Sequence, residues 1–331
     1  MSRPTMADVA KTAGVSKATV SRVLNGTATH MRPATEAKVM KAIKELGFRP
    51  NALARSLSLR RSGTLALLLS DVVNPFYAEV IHGLEDAALG KGANIFLCNT
   101  NYNLERGLTL IRSLIDKQVD GVLLMSSSME EAWLEELQAN AIPTVVLDPV
   151  STEQKLGIAT ILVDFDHGIG QAVAALSQAG HKKLAIVTGP LKLKTAQVRY
   201  NAFLRAAQKY GFNPDAITKV ESNFRIDGGR AALASLRESG VSAVFCCNDL
   251  MALGVLLEAR KQGLELPRDL AIIGLDDIEL AAESLPALST VALPRYSIGQ
   301  LAAELIFELL DNQDASLQRQ VSTQFIARES A

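Results

Sequence analysis

The stretch DVAKTAGVSKATVSRVLNG, residues 8–26, breaks at Gly14, and the reading of the front of the chain follows from that break. Ahead of it Thr5 stands three residues before Asp8, close to a capping box, and Met6, Val9, Ala10 and Ala13 share one helical face. Gly14 stops this helix. Ser16 can cap a second one starting at Lys17, with Val15 packing on Val20 and with Val23 and Leu24 extending the apolar face. Two helices joined by Ala-Gly-Val-Ser make a helix-turn-helix. A third helix is predicted from Pro33 to about Leu46, burying Val39, Met40, Ile43 and Leu46, although Arg32 is a poor cap for it.

If the second helix enters a major groove, Lys17, Ala18, Ser21 and Arg22 lie near its leading end. Arg22 is then placed to read guanine O6 and N7 with two bonds, Lys17 to reach a guanine or a phosphate, and Ala18 to offer its methyl to thymine. Ser16, Thr19 and Asn25 are short polar groups suited to phosphate oxygens, and Thr5 at the first cap is counted with them. The plainer reading is a solvated three-helix surface that binds protein. Charge separates the two. Residues 1–61 hold 12 Lys and Arg against three acids, a net +9, whereas the rest of the chain carries −10 and the whole only −1. A small basic head on a large acidic body points to a polyanion for the head alone.

PNALARSLSLRR follows at 50–61. The segment Asn51–Leu59 has helix formers behind an asparagine cap but is too short to persist alone, so it is a candidate for folding only when paired or bound. Leu57 is the side chain to watch, because an apolar group wedged between minor-groove base steps kinks a duplex. The alternative is a linker whose leucines touch the body.

From Thr64 short apolar runs alternate with amphipathic helices, the sign of parallel α/β architecture. TLALLLS (64–70), NIFLCN (94–99), GVLLMS (121–126), IPTVVLD (142–148) and ATILVD (159–164) form a first set of strands. KLAIVTG (183–189), ITKVES (217–222), AVFCCN (243–248) and LAIIGLD (270–276) form a second. Near-continuous apolar strands predict sheets covered by helices on both faces. Two sets predict two doubly wound subdomains with a cleft between them.

Ligands in such sheets bind beyond the carboxyl ends of the strands. Polar and aromatic residues gather there: Asp71, Asn74, Phe76, Tyr77, Asp148, Asp164, Thr195, Arg199, Phe224, Asn248, Asp249, Asp276 and Asp277. Carboxylates accept bonds from sugar hydroxyls, Arg199 donates to ring or hydroxyl oxygens, and Phe76 or Phe224 stacks on a flat apolar face. A bland account makes Asp249 and Asp276 helix caps and Arg199 a surface donor. Their joint placement at one edge argues for the cleft.

Catalytic and metal readings do poorly. GxGxxG and GxxxxGK[ST] loops are absent, GPLKLKT (189–195) lacks successive glycines, and there is no GxSxG elbow. His30, His82, His167 and His181 show no metal-ligand spacing, and His181 after Gly180 reads as a helix closure. Asp276 and Asp277 together suggest a dyad that no neighbouring ligand supports, so hydroxyl binding and capping are preferred. No cofactor is expected. Cys98, Cys246 and Cys247 cannot make a disulfide framework and read as plain buried thiols. MSRPTMADVAKTAG lacks the apolar core of a signal peptide and no run reaches 18 apolar residues, so the expected location is cytoplasmic. At 331 residues and 48% hydrophobic composition, the chain has room for two large or three smaller domains.

DVAKTAGVSKATVSRVLNG (8–26) and LGFRPNALARSL (46–57) closely resemble the LacI/GalR family of bacterial transcription regulators. NPFYAEVIHGLE (74–85), FCCNDLMALG (245–254), IIGLDD (272–277) and PALSTVALP (286–294) extend the resemblance over essentially the whole chain. It implies a homodimer whose two heads bind a pseudo-palindromic operator, with Arg22 and the Lys17–Ala18 pair setting specificity and hinge helices presenting Leu57. It implies a helix-turn-helix domain at 1–50, a hinge helix and linker at 51–61, and an effector-binding and dimerisation body at 62–331. That body is similar to periplasmic sugar-binding proteins, with an N-subdomain of about 62–162 plus 293–325 and a C-subdomain of about 163–290.

The resemblance assigns effector contacts to Phe76, Tyr77, Arg199, Phe224 and Asp276, with Thr195 in the same pattern and Asp71, Asn248 and Asp249 at the cleft edge. Two departures matter. Leu193 stands where purine-responsive members place an arginine, which favours a sugar, sugar acid or polyol over a nucleobase. Arg32-Pro33-Ala34-Thr35-Glu36 replaces the usual small polar cap and basic residue of helix three, which removes support for a phosphate contact there. Lys192 and Lys194 flank the site as solvent-facing lysines or as contacts to an anionic ligand. The expected function is a sequence-specific DNA-binding repressor controlled by a small-molecule effector, not an enzyme. The alternatives are a purine- or nucleoside-responsive regulator of the same fold and a carbohydrate-active α/β enzyme with a DNA-binding head. A tetramer is not expected, because only 16 residues follow Ala315 and they carry no heptads.

Overall fold

A computed structural model describes residues 4–24, 31–48, 61–125, 129–148, 156–312 and 315–331. The chain divides into two units, Met1–Ser62 and Gly63–Ala331.

In the first unit helix α1 spans Met6–Ala13. Its capping box is complete: Thr5 N donates to Asp8 Oδ2 at 2.8 Å and Asp8 N donates to Thr5 Oγ1 at 3.4 Å. Gly14 ends it in the left-handed region at φ 65°, where a side chain is disfavoured. Helix α2 (Lys17–Leu24) starts under Ser16, whose Oγ accepts from Thr19 N at 3.1 Å. Helix α3 (Pro33–Leu46) has Pro33 in its first turn and no side-chain bond from Arg32. Val9, Ala10, Val20, Val39, Ala42 and Phe48 form the core of the three, with Val15, Ile43 and Leu46 around it. Met40 departs from expectation at 53% exposed. Val39, Ala42, Ile43 and Leu46 follow the i, i+3, i+4, i+7 stripe, and Met40 stands one step round the helix from it. Phe48, beyond the helix, supplies the missing bulk.

The second unit is built on two six-stranded sheets. The first contains β1 (Thr64–Leu69), β2 (Asn94–Asn99), β3 (Gly121–Met125), β4 (Thr144–Leu147), β5 (Ile158–Asp164) and β11 (Leu317–Ser322). The second contains β6 (Leu184–Thr188), β7 (Thr218–Glu221), β8 (Ala243–Cys246), β9 (Ala271–Asp276), β10 (Ser289–Ala292) and β12 (Gln324–Ile326). Their orders are β11-β5-β4-β3-β1-β2 and β12-β10-β9-β8-β6-β7. All neighbours are parallel except β12, which runs antiparallel to β10. Nine of these strands were expected. The other three, β10, β11 and β12, were not; β11 reads LQRQVS and presents no apolar run, and β10 and β12 are only four and three residues long.

Helices α4 (Phe76–Gly90), α5 (Leu104–Asp116), α6 (Glu131–Ala139) and α12 (Arg295–Asp311) serve the first sheet. Alternation along β1 feeds both faces: Leu65, Leu67 and Leu69 join the cluster around Val80 and Leu84, and Ala66 and Leu68 join the one around Trp133. Strand β2 corrects the expectation of full cover. As the edge strand it leaves Phe96 45% and Leu97 46% exposed. The second sheet carries α7 (Phe165–Gln178), α8 (Lys194–Lys209), α9 (Ile226–Glu238), α10 (Asp249–Lys261) and the short α11 (Glu279–Glu283). His181 N donates to Leu176 O at 3.2 Å, closing α7, while its ring nitrogen lies 2.9 Å from Ser242 Oγ.

The chain passes between the sheets three times: from β5 into α7, from β10 into α12, and from β11 into β12. The last pass already carries Gln324 and Phe325 into the second sheet, so the returning segment stops at Thr323. Buried Thr323 pins the passes together, donating to Asp164 O at 2.6 Å and accepting from Gly168 N at 2.9 Å.

Helices α4 and α12 touch backbone to backbone. A Cβ on Gly83 would collide with the Tyr296 carbonyl oxygen, and one on Gly299 with that of Val80. Gly83→Ala is therefore expected to destabilise the body by about 1–3 kcal/mol through overpacking. Urea unfolding checks this as a lower midpoint at unchanged slope.

Candidate functional site

The first candidate surface is the outer face of α2. Lys17, Ala18 and Arg22 are exposed and Ser21 is half-buried, because Val20 takes the inner face at 0% exposure. The 17/21 and 18/22 pairs stack one turn apart, so the four side chains form one strip. Ser16 Oγ and Thr19 Oγ1 lie 2.9 Å apart at its leading end. Thr5 is engaged in its cap, its hydroxyl donating to Asp8 Oδ2 at 2.7 Å. Asn25, Asn51 and Leu57 lie outside the described residues.

The second is a cleft between the two sheets of the body, about 760 Å³ with its open mouth included. Asn74, Phe76, Tyr77, Tyr102, Met125, Met129, Leu147 and Asp148 line it from the first sheet. Lys194, Thr195, Arg199, Phe224, Asn248 and Asp276 line it from the second, and Leu293 lines it at a crossover. These positions follow strand ends, as expected for open parallel sheets.

Local structure aims each group. Asn74 Oδ1 accepts from Phe76 N at 3.0 Å and tightens the turn into α4, where the Phe76 and Tyr77 rings meet edge to face at 5.3 Å. Tyr77 donates to Met125 O at 3.3 Å, and burial pushes its hydroxyl pKa up. Asn248 caps α10 by accepting from Met251 N at 2.9 Å and holds Phe224 by donating to its carbonyl at 2.9 Å. Gly189 makes room for the Phe224 ring, since a Cβ there would overlap the ring carbons. Asp148, Phe224 and Asp276 have φ of 49°, 63° and 125°. Non-glycine residues are costly in that region, and such strain clusters at functional sites.

Arg199 is the hub of the second wall. Its Nη1 donates to Cys247 O at 2.6 Å, its Nη2 lies 3.5 Å from Asp276 Oδ1, and its guanidinium sits 5.4 Å above the Phe165 ring. Burial pushes the Asp276 carboxyl up to about 7 against the pull of Arg199. Burial likewise pushes Asp148 up to about 6, although its carboxylate accepts from Val163 N at 2.9 Å. Thr195 Oγ1, Arg199 Nε and Asp276 Oδ1 are buried and accept or donate no hydrogen bond within the chain. A hydroxyl, a guanidinium N–H and a carboxylate oxygen thus belong to residues that line one cleft together with aromatic rings. That set suits a small polyhydroxy compound, which supplies donors and acceptors in pairs and an apolar ring face.

Four expected residues lie off the cleft wall, each held by another partner, among them Asp277, which accepts from Arg328 Nη2 at 2.6 Å. Asp249 is fully buried beneath it, accepting from Thr290 Oγ1 at 2.5 Å and Ile278 N at 2.8 Å. Asp164 caps α7 by accepting from His167 N at 3.2 Å. Asp71 is tied to Arg225. The walls in turn include residues that sequence reading passed over: Tyr102, Met125, Met129, Leu147 and Leu293. Met125 and Leu147 are the last residues of β3 and β4, so the strand-end rule marks them once apolar residues are admitted to it. Lys194 lines the cleft, although its side chain is also exposed. Among the described residues no group of His, Cys, Asp and Glu could hold a metal, and no helix is long and apolar enough to cross a membrane.

Residues 5–51 match the model for bacterial regulatory proteins of the lacI family, and residues 173–331 match that for a periplasmic binding protein-like domain. The ribose operon repressor of Haemophilus influenzae is 39% identical over 313 residues, covering 93% of this chain and 92% of its own. A solved complex of the transcriptional regulator CelR with cellobiose is 30% identical, covers 99% of this chain and 100% of its own, and superposes with a TM-score of 0.74. A lac repressor dimer bound to operator and the anti-inducer ONPF shares the fold at a TM-score of 0.89 and 24% identity, over 99% of both chains.

Proposed function

The chain belongs to the lacI family of bacterial regulatory proteins, and from that premise we propose that it is a repressor that binds operator DNA and is controlled by a sugar, sugar acid or polyol held in the body's cleft. It is a regulator and not an enzyme. The observation that carries the effector class is that buried Thr195 Oγ1, Arg199 Nε and Asp276 Oδ1 make no hydrogen bond within the chain and line one cleft with Phe76, Tyr77 and Phe224. The named relatives support it, being a ribose operon repressor and a regulator solved with cellobiose. Leu193 supports a sugar over a nucleobase: it packs partly buried against the core at the start of α8 and is not on the cleft wall.

On this reading the protein acts as a homodimer, with the strips of two α2 helices meeting successive major grooves of a pseudo-palindrome. Phosphate contacts from Ser16, Thr19 and Asn25 fix the register, and Arg22, Lys17 and Ala18 read bases. Effector binding changes the angle between the two subdomains. The change passes through the stretch at 51–59, including Asn51 and Leu57, to the spacing of the heads, a coupling of the usual 1–3 kcal/mol.

A thermal-shift screen of the full chain against sugars, sugar acids, polyols and nucleosides tests the effector class. A ligand of the native state at 100 times its Kd adds about 2.7 kcal/mol of stability. A sugar-type hit is expected. Stabilisation by nucleosides alone would transfer the site to the purine-responsive reading.

A further inference from the structure

We propose that Asp71 and Arg225 form a latch that holds the two subdomains together at the edge of the body farthest from its crossovers, biasing the ligand-free body toward its closed form. The inference rests on the reading of the cleft as the effector site, but it concerns the resting state of the body before any ligand arrives. Arg225 Nη2 donates to Asp71 Oδ2 at 2.8 Å across 154 residues of chain. Asp71 follows β1 in the first sheet, and Arg225 precedes α9 after β7 in the second.

Topology gives the bridge its leverage. All three passes lie at the β5/β11 edge of the first sheet; at the second, two of them meet the β10/β12 edge directly and the other enters α7, which packs on β10 and β12. The opposite edges are β1/β2 and β6/β7, and the bridge joins them there. Rotation about the crossovers displaces that far edge most, so the cleft cannot open without separating this pair.

The Asp71 carboxylate is held in place beforehand, and so is the backbone that carries Arg225. Asp71 Oδ1 accepts from Val73 N at 3.2 Å, and the Arg225 backbone N donates to Asn223 Oδ1 at 3.0 Å. Arg225 also follows Phe224, whose carbonyl is fixed by Asn248. A bridge with one pre-oriented partner loses less side-chain freedom on bonding than one between two mobile surface chains. The Asp71 side chain is only 9% exposed and that of Arg225 is 53% exposed, so salt reaches the bridge through the arginine and weakens it. Neither residue lines the cleft, yet each adjoins residues that do. An effector that needs the closed form binds more tightly by the closed fraction the latch maintains.

The test needs no effector, so it stands whatever the ligand screen returns. Fluorophores are attached through keto side chains introduced at exposed Glu105 on α5 and Ala231 on α9, in full chains diluted into unlabelled protein so that each assembly carries one labelled copy. Distance distributions are read for the parent, for Arg225→Gln, for Asp71→Asn, and for the exchanged pair Asp71→Arg with Arg225→Asp. The parent is expected to be mostly in the shorter population and to lengthen with added salt. Each single variant is expected to lower the closed-to-open ratio about 5- to 30-fold and to lose the salt response, and the exchanged pair to recover both. Unchanged distances in the single variants would overturn the latch, as would an exchanged pair that behaves like them.

Discussion

Arg199→Ala destabilises the body by up to about 1.4 kcal/mol more at pH 8 than at pH 5, the difference being the expected signature of a buried carboxyl stripped of its cation. Asp276 is 3% exposed, and Arg199 Nη2 is the cation beside it at 3.5 Å. Folding raises its pKa from the ordinary 3.8 to about 7. A carboxyl raised in this way favours the folded state fully below pH 3.8, and that contribution drains away as pH rises through 7. At pH 5 the folded carboxyl is already mostly protonated, so Arg199 has little charge to balance. At pH 8 the parent's carboxylate is ionised beside the guanidinium, whereas without Arg199 burial holds the carboxyl protonated, and the proton taken up is the pH-dependent cost. The pH-independent remainder is the lost bond to Cys247 O and the contact with Phe165. Urea titrations of both proteins at the two pH values measure the difference. Equal losses at both would mean that Arg199 is a packing residue only. Effector affinity is expected to fall in the same variant and operator affinity to be kept.

Arg22→Ala abolishes most of the preference for operator over scrambled DNA. A bidentate contact to guanine discriminates by about 1–3 kcal/mol, and two heads on one operator double that to about 2–6 kcal/mol. Salt-dependent binding to scrambled DNA persists, because the phosphate-directed groups and the basic balance of the head remain. Fluorescence anisotropy against a selected operator and a scrambled duplex, each over a salt series, separates the two terms. A variant that still discriminates as the parent does would remove Arg22 from the reading set.

These two arginines differ in how far sequence alone reaches them. The place of Arg22 on the exposed face of α2 is legible because what sets that face is local: the Thr5–Asp8 box, the turn at Gly14, the Ser16 cap and the burial of Val20 all fall within sixteen residues of one another. Arg199 is legible as one of a set of strand-end residues, but its pairing with Asp276 is a tertiary fact. Carboxylates show the limit most sharply. Asp71, Asp249 and Asp276 all follow or end strands, and nothing local distinguishes them. Their fates differ because Arg225 lies 154 residues from Asp71 and Thr290 lies 41 from Asp249. Apolar wall residues such as Met125 and Leu147 read as core, since a strand end facing a cleft has the same composition as one facing a helix. The edge strands β11 and β12 escaped because pairing on one side needs no continuous apolar run.

The threefold passage of the chain between the sheets also fixes an order of events during synthesis. Residues 317–326 supply a border strand to each half of the body, and the penultimate Ser330 is fully buried, donating to Ile272 O and accepting from Ser289 N. The head, by contrast, emerges first and closes its own small core from its first 48 residues. A nascent chain leaving the ribosome at about 5–20 residues per second therefore carries a finished DNA reader well before either lobe of its controller can be completed.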